Sequence, residues 1–567
     1  MKKGYRPTCK DVWDKYQKSV QFKQQLGLYQ TVEENENLFI GKQWEGVQAN
    51  GLPTPVFNFT KRVTMFQVAT ITSDNIAARV TPILPTEELS KADVERIADI
   101  ASEQITAIFD RIGLIALLRQ YVRNAAVDGD AALYTYFDQS IKNGQKVKGE
   151  IQTEVIENTR VHFGNPNSRD VQGQQWMIIS RRLPCEDVKE RAEDYGADEE
   201  TLAAITPDEA DHYSKMETLT DDRTTLLLFF WRDRETKTIW QFECTEKAVV
   251  RKAIDTETEM FPITWLSWDY IQDSCHGQAA ITGLKPNQLF INRLFAMTMV
   301  SLMTTAYPKI VYDKTRLPNG WDSRVGAAIA VNGGDVSNIA KIMDPASISP
   351  QIGEFIKICI DYTQNFMGAS DVAMGDARPD NTSAIVALQR AANTPLELTK
   401  QNLYPSLEEL CRIYLDQMAA FYGTRRVEMK GLPGAEERPF GIDMAQYKFP
   451  QEFDFKKLRD ILLSVTIDVG ASSYWSEIAA MQTLDNLLMQ NKIGMVDYLE
   501  RMPSGYIPKK QELISTMKQQ MQPVDVPDAG GGGEVMPEQD MTNQLQIRPG
   551  GGNGALQRAI AKGGDAV

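Results

Sequence analysis

Two stretches of helical period, residues 283–306 and 350–368, bracket a segment that cannot itself be helical. The first carries Leu284, Phe290, Ile291, Leu294, Phe295, Thr298 and Leu302 on roughly one side, with Pro286 expected in the first turn, where its missing N–H costs nothing. The second carries Ile352, Phe355, Ile356, Cys359, Tyr362 and Phe366, a cleaner stripe. Between them stand Pro308, Pro318-Asn-Gly320, Gly326 and Gly333-Gly334, with strand-like runs at 309–312 and 327–331. This pattern predicts a small β-type insertion on two helical stalks, each on the order of 30 Å long at about 1.5 Å per residue. Two such helices have more apolar surface than they can hide against each other, which asks for neighbours. Taken alone, the same pattern also fits an ordinary helical hairpin in a monomeric core.

Upstream, residues 11 to about 33 are polar and helix-compatible, and Leu52-Pro-Thr-Pro-Val-Phe-Asn58 reads as an extended arm, because each X-Pro disfavours helix before it. Helices are expected over 60–79, about 87–112 and about 114–127. The middle one shows Ile97, Ala101, Ile105, Ile108 and Ile112 on a single face. The period then shortens. Residues 131–137, 154–163, 176–181, 224–231, 238–244 and 248–251 are β-branched or aromatic and turn-bounded, hence strands. A short helix should start at Pro184, with carboxylates in its first turn. The segment to about residue 280 is therefore an α+β body.

Downstream, residues 368–382 hold glycines, a proline and three Asp against one Arg, and form a loop. A long helix from Ser383 to Tyr422 should be kinked or broken at Pro395 and Pro405. A β-patterned run, 462–469, precedes a helical pair from Trp475 to Glu500 and a last amphipathic piece from Pro508 to about Gln520. Residues 522–567, with glycine runs at 530–533 and 550–552, have too few large apolar residues to offset chain entropy and are expected to be a flexible tail.

Little in the chain suggests a reaction. There is no GxxxxGK[ST], no GxGxxG opening a helix, no HExxH and no GxSxG, so no cofactor or metal is expected. The six cysteines are scattered without CxxC spacing, which reads as a reduced compartment and inert thiols. Cys275-His276 is the one adjacent nucleophile–base pair, and a turn before a helix accounts for it better than catalysis. His162 reads as a strand histidine and His212 as solvated. Acidic runs such as Asp208, Glu209, Asp211 and Asp221-Asp222 read as solvated faces. The Trp and Tyr residues of 231–270 lack interleaved Lys and Arg, which favours packing over base stacking. With a formal charge of −15, the chain is poorly suited to coat nucleic acid, though not to let it slide past. No signal peptide or membrane-spanning run is expected.

Specific residues add a resemblance. Asn37-Leu-Phe-Ile-Gly-Lys-Gln-Trp44 with Leu52-Pro53 and Pro55-Val-Phe-Asn58, Gly277-Gln278 through Leu284, Gln288 and Asn292-Arg293, and Asn381-Thr-Ser-Ala-Ile385 with Leu388-Gln389 resemble the portal proteins of tailed bacteriophages, in particular the short-tailed branch. The resemblance covers roughly residues 30–520. Many relatives carry Ser-Gly where this chain has Ser383-Ala384, and Ala is the better helix former.

The resemblance implies an α+β, mainly helical portal fold. Its parts would be a wing (1–280), stem helix 1 (281–306), a clip (307–349), stem helix 2 (350–368), a channel loop (369–382), a kinked wing helix with a β segment (383–473), a short helical crown (474–521) and the Gly-rich tail (522–567). It further implies a homo-oligomeric ring, usually dodecameric, at one vertex of the virion capsid, assembled in the host cytoplasm. Such a ring would nucleate procapsid assembly with the major capsid protein and scaffold. It would also dock the terminase large subunit and later a head-tail adaptor, and pass double-stranded DNA without sequence specificity, with no membrane involved. Asp371, Met374, Asp376, Arg378 and Asp380 would then face the channel, although a plain solvated connection fits the same loop. Lys314, Arg316, Trp321 and Arg324 would contact terminase or adaptor, and Phe290, Leu294, Phe355, Ile356, Cys359 and Phe366 would pack the stem. The competing expectations are another connector component of a virion, and an acidic soluble enzyme.

Overall fold

The computed structural model describes residues 4–46, 51–73, 76–83, 90–209, 222–306, 310–317, 319–320, 322, 324, 328–333, 339–342, 351–366, 382–430, 448–469, 474–490, 492–495, 498–499, 502 and 513–514. The chain divides into two compact units, Met1–Ala480 and Met481–Val567.

In the first unit the elements run α1 (Cys9–Leu26), α2 (Leu28–Ile40), α3 (Phe59–Ile71), β1 (Ile76–Pro82), α4 (Lys91–Ile112), α5 (Leu114–Asp128), β2 (Asp130–Asp138), β3 (Glu150–Glu157), β4 (Val161–Phe163) and β5 (Trp176–Pro184). Then follow α6 (Cys185–Asp194), α7 (Glu199–Ala204), β6 (Arg223–Arg232), β7 (Ile239–Cys244), β8 (Val249–Asp255) and β9 (Ile263–Ser267). The remainder is α8 (Ala280–Ala306), β10 (Ile310–Tyr312), β11 (Ala340–Ile342), α9 (Gln351–Phe366), α10 (Thr382–Phe421), β12 (Thr424–Lys430), β13 (Lys448–Asp454), β14 (Leu463–Val469) and α11 (Tyr474–Met489), which crosses into the second unit.

Local chemistry sets many of these ends. Thr8 caps α1 by accepting from Asp11 N–H at 3.2 Å, and Ser90 caps α4 by accepting from Asp93 N–H at 3.2 Å. Gly27 and Gly113 stop α1 and α4 at φ 72° and 64°, a left-handed turn that a side chain would strain. The α4 stripe is buried as its period requires, from Ile97 through Ile108.

The strands form antiparallel sheets: five-stranded β4-β5-β6-β7-β8, three-stranded β3-β2-β9, and the pairs β1-β14, β10-β11 and β12-β13. The largest core lies among α4, α5, α10, the β2-β3 face and the β1-β14 pair, centred on Ile105, Tyr121, Leu133, Leu407 and Tyr414. A second core fills the space between the five-stranded and three-stranded sheets under α6, and α1 covers the other face of the five-stranded sheet with Val12, Tyr16 and Val20. In the second unit the Tyr498 hydroxyl donates to Asp485 Oδ1 at 2.6 Å.

Several expectations are corrected. The helix expected over 60–79 ends at Ile71, and 76–82 is a strand, because it finds a partner in β14. The strand expected over 154–163 is two strands separated by a 3-10 turn at Asn158–Arg160. α8 begins at Ala280, so Pro286 sits in the second turn rather than the first. α10 is one helix of 40 residues, uninterrupted at Pro395 and Pro405, with Leu396, Leu403 and Leu407 buried along it. The expected strand at 327–331 is irregular over its described part, and β10 pairs instead with 340–342. Asp208 does not lie on a solvated face: it is paired with Arg182 and accepts from Thr225 N–H. His212 lies outside the described residues, as do the Gly-rich tail and all but two residues of the last amphipathic piece.

Candidate functional site

The resemblance-bearing residues of the arm turn out to hold the first stalk. Trp44 Nε1 donates to Pro55 O at 2.9 Å, folding the arm back on itself. Asn58 caps α3 by accepting from Lys61 N–H, and its amide donates to Leu38 O and Phe39 O, two carbonyls left over at the end of α2. Gln43 Nε2 donates to Leu38 O at 3.1 Å, and Asn292 of α8 donates to Gln43 Oε1 at 2.6 Å. One turn earlier, Gln288 Nε2 donates to Asn292 Oδ1 at 3.0 Å and to Phe57 O at 2.8 Å, while its Oε1 accepts from the Thr60 N–H and hydroxyl. Every hydrogen-bonding position of the Gln288 amide is used, and Gln43, Thr60, Gln288 and Asn292 are all buried. A satisfied buried network of this kind specifies one register for the helix. Ion pairs Lys285–Glu34 and Arg123–Glu36 add weaker ties around its rim.

The approach to α8 is held just as closely. Asp130 accepts from Ser267 Oγ at 2.6 Å, from Gly277 N–H at 2.8 Å and from His276 Nδ1 at 3.0 Å. Gly277 has no room for a side chain, since a Cβ there would stand 2.5 Å from Asp269 O. Burial pushes the Cys275 thiol up to about 12, with Asp130 adding to the rise, and the imidazole beside it is engaged by Asp130. Cys275-His276 is thus a turn that launches α8, with the thiol in its un-ionised form. Nearby, Lys23 of α1 is buried and donates to Asn158 O, Thr159 O and Val161 O at 2.6–3.0 Å. Burial pushes its ammonium down to about 7 and holds His162 well below the usual histidine range. Among the described residues no group of three or more His, Cys, Asp and Glu is placed to hold a metal ion, and no helix is long and apolar enough to cross a membrane.

The stalk is the pair α8–α9. Leu284, Ile291 and Ile356 are buried, with Leu294, Phe295, Ile352, Cys359 and Ile360 packed around them and Phe59 and Val63 of α3 closing the base. Phe57 stacks on Phe295 at 4.1 Å, and Asn287 Nδ2 donates to Thr363 Oγ1 at 3.1 Å. Phe290 and Phe355 meet edge to face at 6.1 Å, yet both are nearly half exposed. Phe355, Ile358 and Tyr362 form a second apolar row on α9, about a quarter turn from the buried one, with Ile358 47% exposed. Beyond Ala296, α8 exposes Met297, Met299, Leu302 and Met303. The side chain of Phe366 lies outside the described residues.

The insertion between the stalks is small. β10 and β11 pair over three residues each, and Asp313 turns the chain by accepting from Thr315 N–H at 2.9 Å. Leu317 and Ile339 are buried in the insertion, and Asn332 N–H donates to Arg316 O at 3.0 Å. Lys314 is exposed, Arg316 is near Asp313, and Arg324 is paired with Asp322 at 2.6 Å on the surface. Trp321 lies outside the described residues, and so do the loop positions Asp371, Met374, Asp376, Arg378 and Asp380.

A comparison with curated proteins gave no match. Against protein families, the model described as Phage P22-like portal protein matches residues 14–563, which takes in the arm, the stalk, the insertion and α10. The chain belongs to the phage P22-like portal protein family.

Proposed function

We propose that this chain forms a closed ring at a single capsid vertex, through which double-stranded DNA is packaged and later ejected. Its family is one of structural proteins of the virion, tied to capsid assembly and genome packaging as an oligomeric ring. The single observation that carries the finer reading is the double-faced stalk. α9 buries one apolar row against α8 and α3 and leaves a second, Phe355, Ile358 and Tyr362, about half exposed in the lone subunit. A soluble chain that exposes such a row on a firmly anchored hairpin has a use for it, and the stalk of the next subunit is the surface that fits. In a closed ring each subunit presents one face of the stalk and receives another, so every row is covered.

In this arrangement the β10–β11 insertion is the clip that docks the terminase large subunit and then a head-tail adaptor. The wing contacts major capsid protein and scaffold and nucleates the procapsid. The segment 369–382, carrying three Asp against one Arg, lines the channel, where repulsion of phosphate favours sliding over gripping. We take the ring to be dodecameric, as the family resemblance implies. Native mass measurement with negative-stain imaging tests the ring directly. A closed ring with a central hole supports it, and a monomer at every salt concentration and protein concentration overturns it. Deletion of residues 312–345 should abolish terminase and adaptor binding while leaving the ring intact.

A further inference from the structure

Beside the second core lies a cavity of about 220 Å³, lined from β2, α6, β6, β7, β8 and α10. Its inner wall is apolar and aromatic: Tyr134, Phe230 and Ile239 are buried, and Tyr134 and Tyr136, two apart on one face of β2, stack at 5.3 Å. Tyr195 and Ile254, 43% and 41% exposed, stand at its mouth. A dry cavity of ~150 Å³ holds one benzene ring, so this one has room for two fused rings.

The lining also holds polar groups with capacity to spare. Glu243, fully buried behind it, accepts from Arg191 Nε at 2.7 Å, Arg191 Nη2 at 3.0 Å and Gln241 Nε2 at 2.8 Å, and these donors occupy its carboxylate. Arg251 reaches Gln241 Oε1 only at 3.4 Å and Glu243 at 3.7 Å, both through Nη1, while its Cζ lies over the Tyr195 ring at 4.5 Å. Its Nε and Nη2 have no hydrogen-bond partner among the described residues. Asp255 is already engaged, accepting from the Thr238 hydroxyl at 3.0 Å and from Glu257 N–H at 2.9 Å. Further in, the Tyr134 hydroxyl, on a side chain 6% exposed, has no partner among the described residues. Neither has Gln417 Oε1, although its amide donates to Thr135 O at 2.9 Å.

The geometry points to a binding site for an aromatic carboxylate, its one or two fused rings against Tyr134 and Tyr136 and its carboxylate on Arg251. A guanidinium takes a carboxylate through two parallel N–H bonds, and Arg251 keeps such a fork free at Nε and Nη2. Charge selects the anion. Arg191 and Arg251 balance Glu243 and Asp255, so one added negative charge meets little opposition, whereas a phosphate dianion is repelled by the excess it creates. A ring N–H, such as that of indole, supplies the donor that Gln417 Oε1 and the Tyr134 hydroxyl lack. A free aromatic acid and a polypeptide ending in an aromatic residue offer the same chemistry. The site is complete within one subunit, so its test is independent of ring formation.

The test is a calorimetric titration of the full-length protein with indolepropionate. Indolepropionamide, adenosine monophosphate and the peptide Gly-Gly-Trp, with a free or an amidated carboxyl end, are titrated in parallel. The expected result is saturable binding of one indolepropionate per chain, lost with the amide. Arg251→Gln should weaken it about tenfold or more, as removal of a charge-assisted pair does. Tyr134→Phe removes only an unpartnered hydroxyl, so the thermal midpoint should hold while binding weakens about threefold or more. Should Arg251→Gln unfold the chain, Tyr134→Phe decides. Binding of Gly-Gly-Trp through its free carboxyl end supports the site and assigns it a chain terminus. Binding of the free acid without the peptide supports it as a small-molecule site. No saturable binding of indolepropionate, binding unmoved by either substitution, or tighter binding of adenosine monophosphate would overturn the proposal.

Discussion

Asn292, in the fourth turn of α8, donates its side-chain amide to Gln43 Oε1 at 2.6 Å, joining the first stalk helix to an arm that precedes it by 249 residues. Neither residue has water to fall back on, since both are buried. The contact therefore transmits any displacement of the stalk into the arm, and through Leu38 O into the end of α2.

Replacing Asn292 by Leu leaves Gln43 Oε1 and one Gln288 proton without partners. Each lost partner costs about 1–3 kcal/mol. The expected loss is therefore about 2–6 kcal/mol in denaturant unfolding. Adding Gln43→Leu should cost less than the sum of the two single changes, and strict additivity would show that the residues are not coupled.

Ile358→Glu tests the half-exposed row. Ile358 is 47% exposed in the subunit, so the stability of the isolated chain should change by no more than about 0.5 kcal/mol. Assembly should fail, because a carboxylate would be carried into an apolar subunit contact. Native mass spectra are expected to move from ring to single subunit. An intact ring of unchanged dissociation midpoint would show that the row lies elsewhere.

Gly277→Ala tests the joint that launches α8. The added Cβ would meet Asp269 O at 2.5 Å and the Ser267 Cβ at 2.8 Å, and the first of these is backbone that cannot swing aside. Overpacking of this kind costs about 1–3 kcal/mol, and here the upper end is expected, measured as a lowered thermal midpoint. A neutral substitution would mean that the strand end at Ser267 gives way freely.

Asp416 on α10 accepts from the N–H groups of Glu259 and Met260 at 2.8 and 2.9 Å, clasping α10 to the turn before β9. Burial raises its carboxyl to about 6 against an ordinary value of 3.8, with the two N–H groups and Arg459 opposing the rise. The folded protein then binds this proton more readily than the unfolded chain does. Its contribution to stability is full below pH 4 and is lost as pH rises through about 6. Asp416→Asn removes that slope, so the variant should gain on the unaltered protein by up to about 3 kcal/mol between pH 4 and pH 7. Parallel pH profiles for the two proteins would exclude Asp416 as the source.

Much of the fold was legible wherever the determinant is local. The stripe Ile97–Ile108 demands one buried helix face, and the structure buries it. Short aromatic runs such as 224–231 became strands within one residue of the expected ends. The stalk–insertion–stalk order was visible because proline and glycine interrupt an otherwise helical period. Less of the site was legible. Phe290 and Phe355 share a period with buried neighbours but point outward, since periodicity reports that a side is apolar and not what covers it. Gln43, Gln288 and Asn292 gave no chemical signal as separate polar residues, and what marked them was their place in the family-like motifs. β9 escaped notice because it is short and is stabilised by β2, a strand remote in the chain.

What the sequence by itself determined was period, punctuation and the lack of common catalytic motifs, because helix stripes, caps and turn residues act over a few positions. Only the tertiary structure decided which distant segments meet: β1 with β14, β10 with 340–342, and Gln43 with Asn292. It also decided that α10 runs unbroken through Pro395 and Pro405. A proline costs a helix about 3 kcal/mol locally, and burial of Leu396, Leu403 and Leu407 in the surrounding core offsets it. Such contacts depend on groups far apart in the chain, and local propensity carries no record of them.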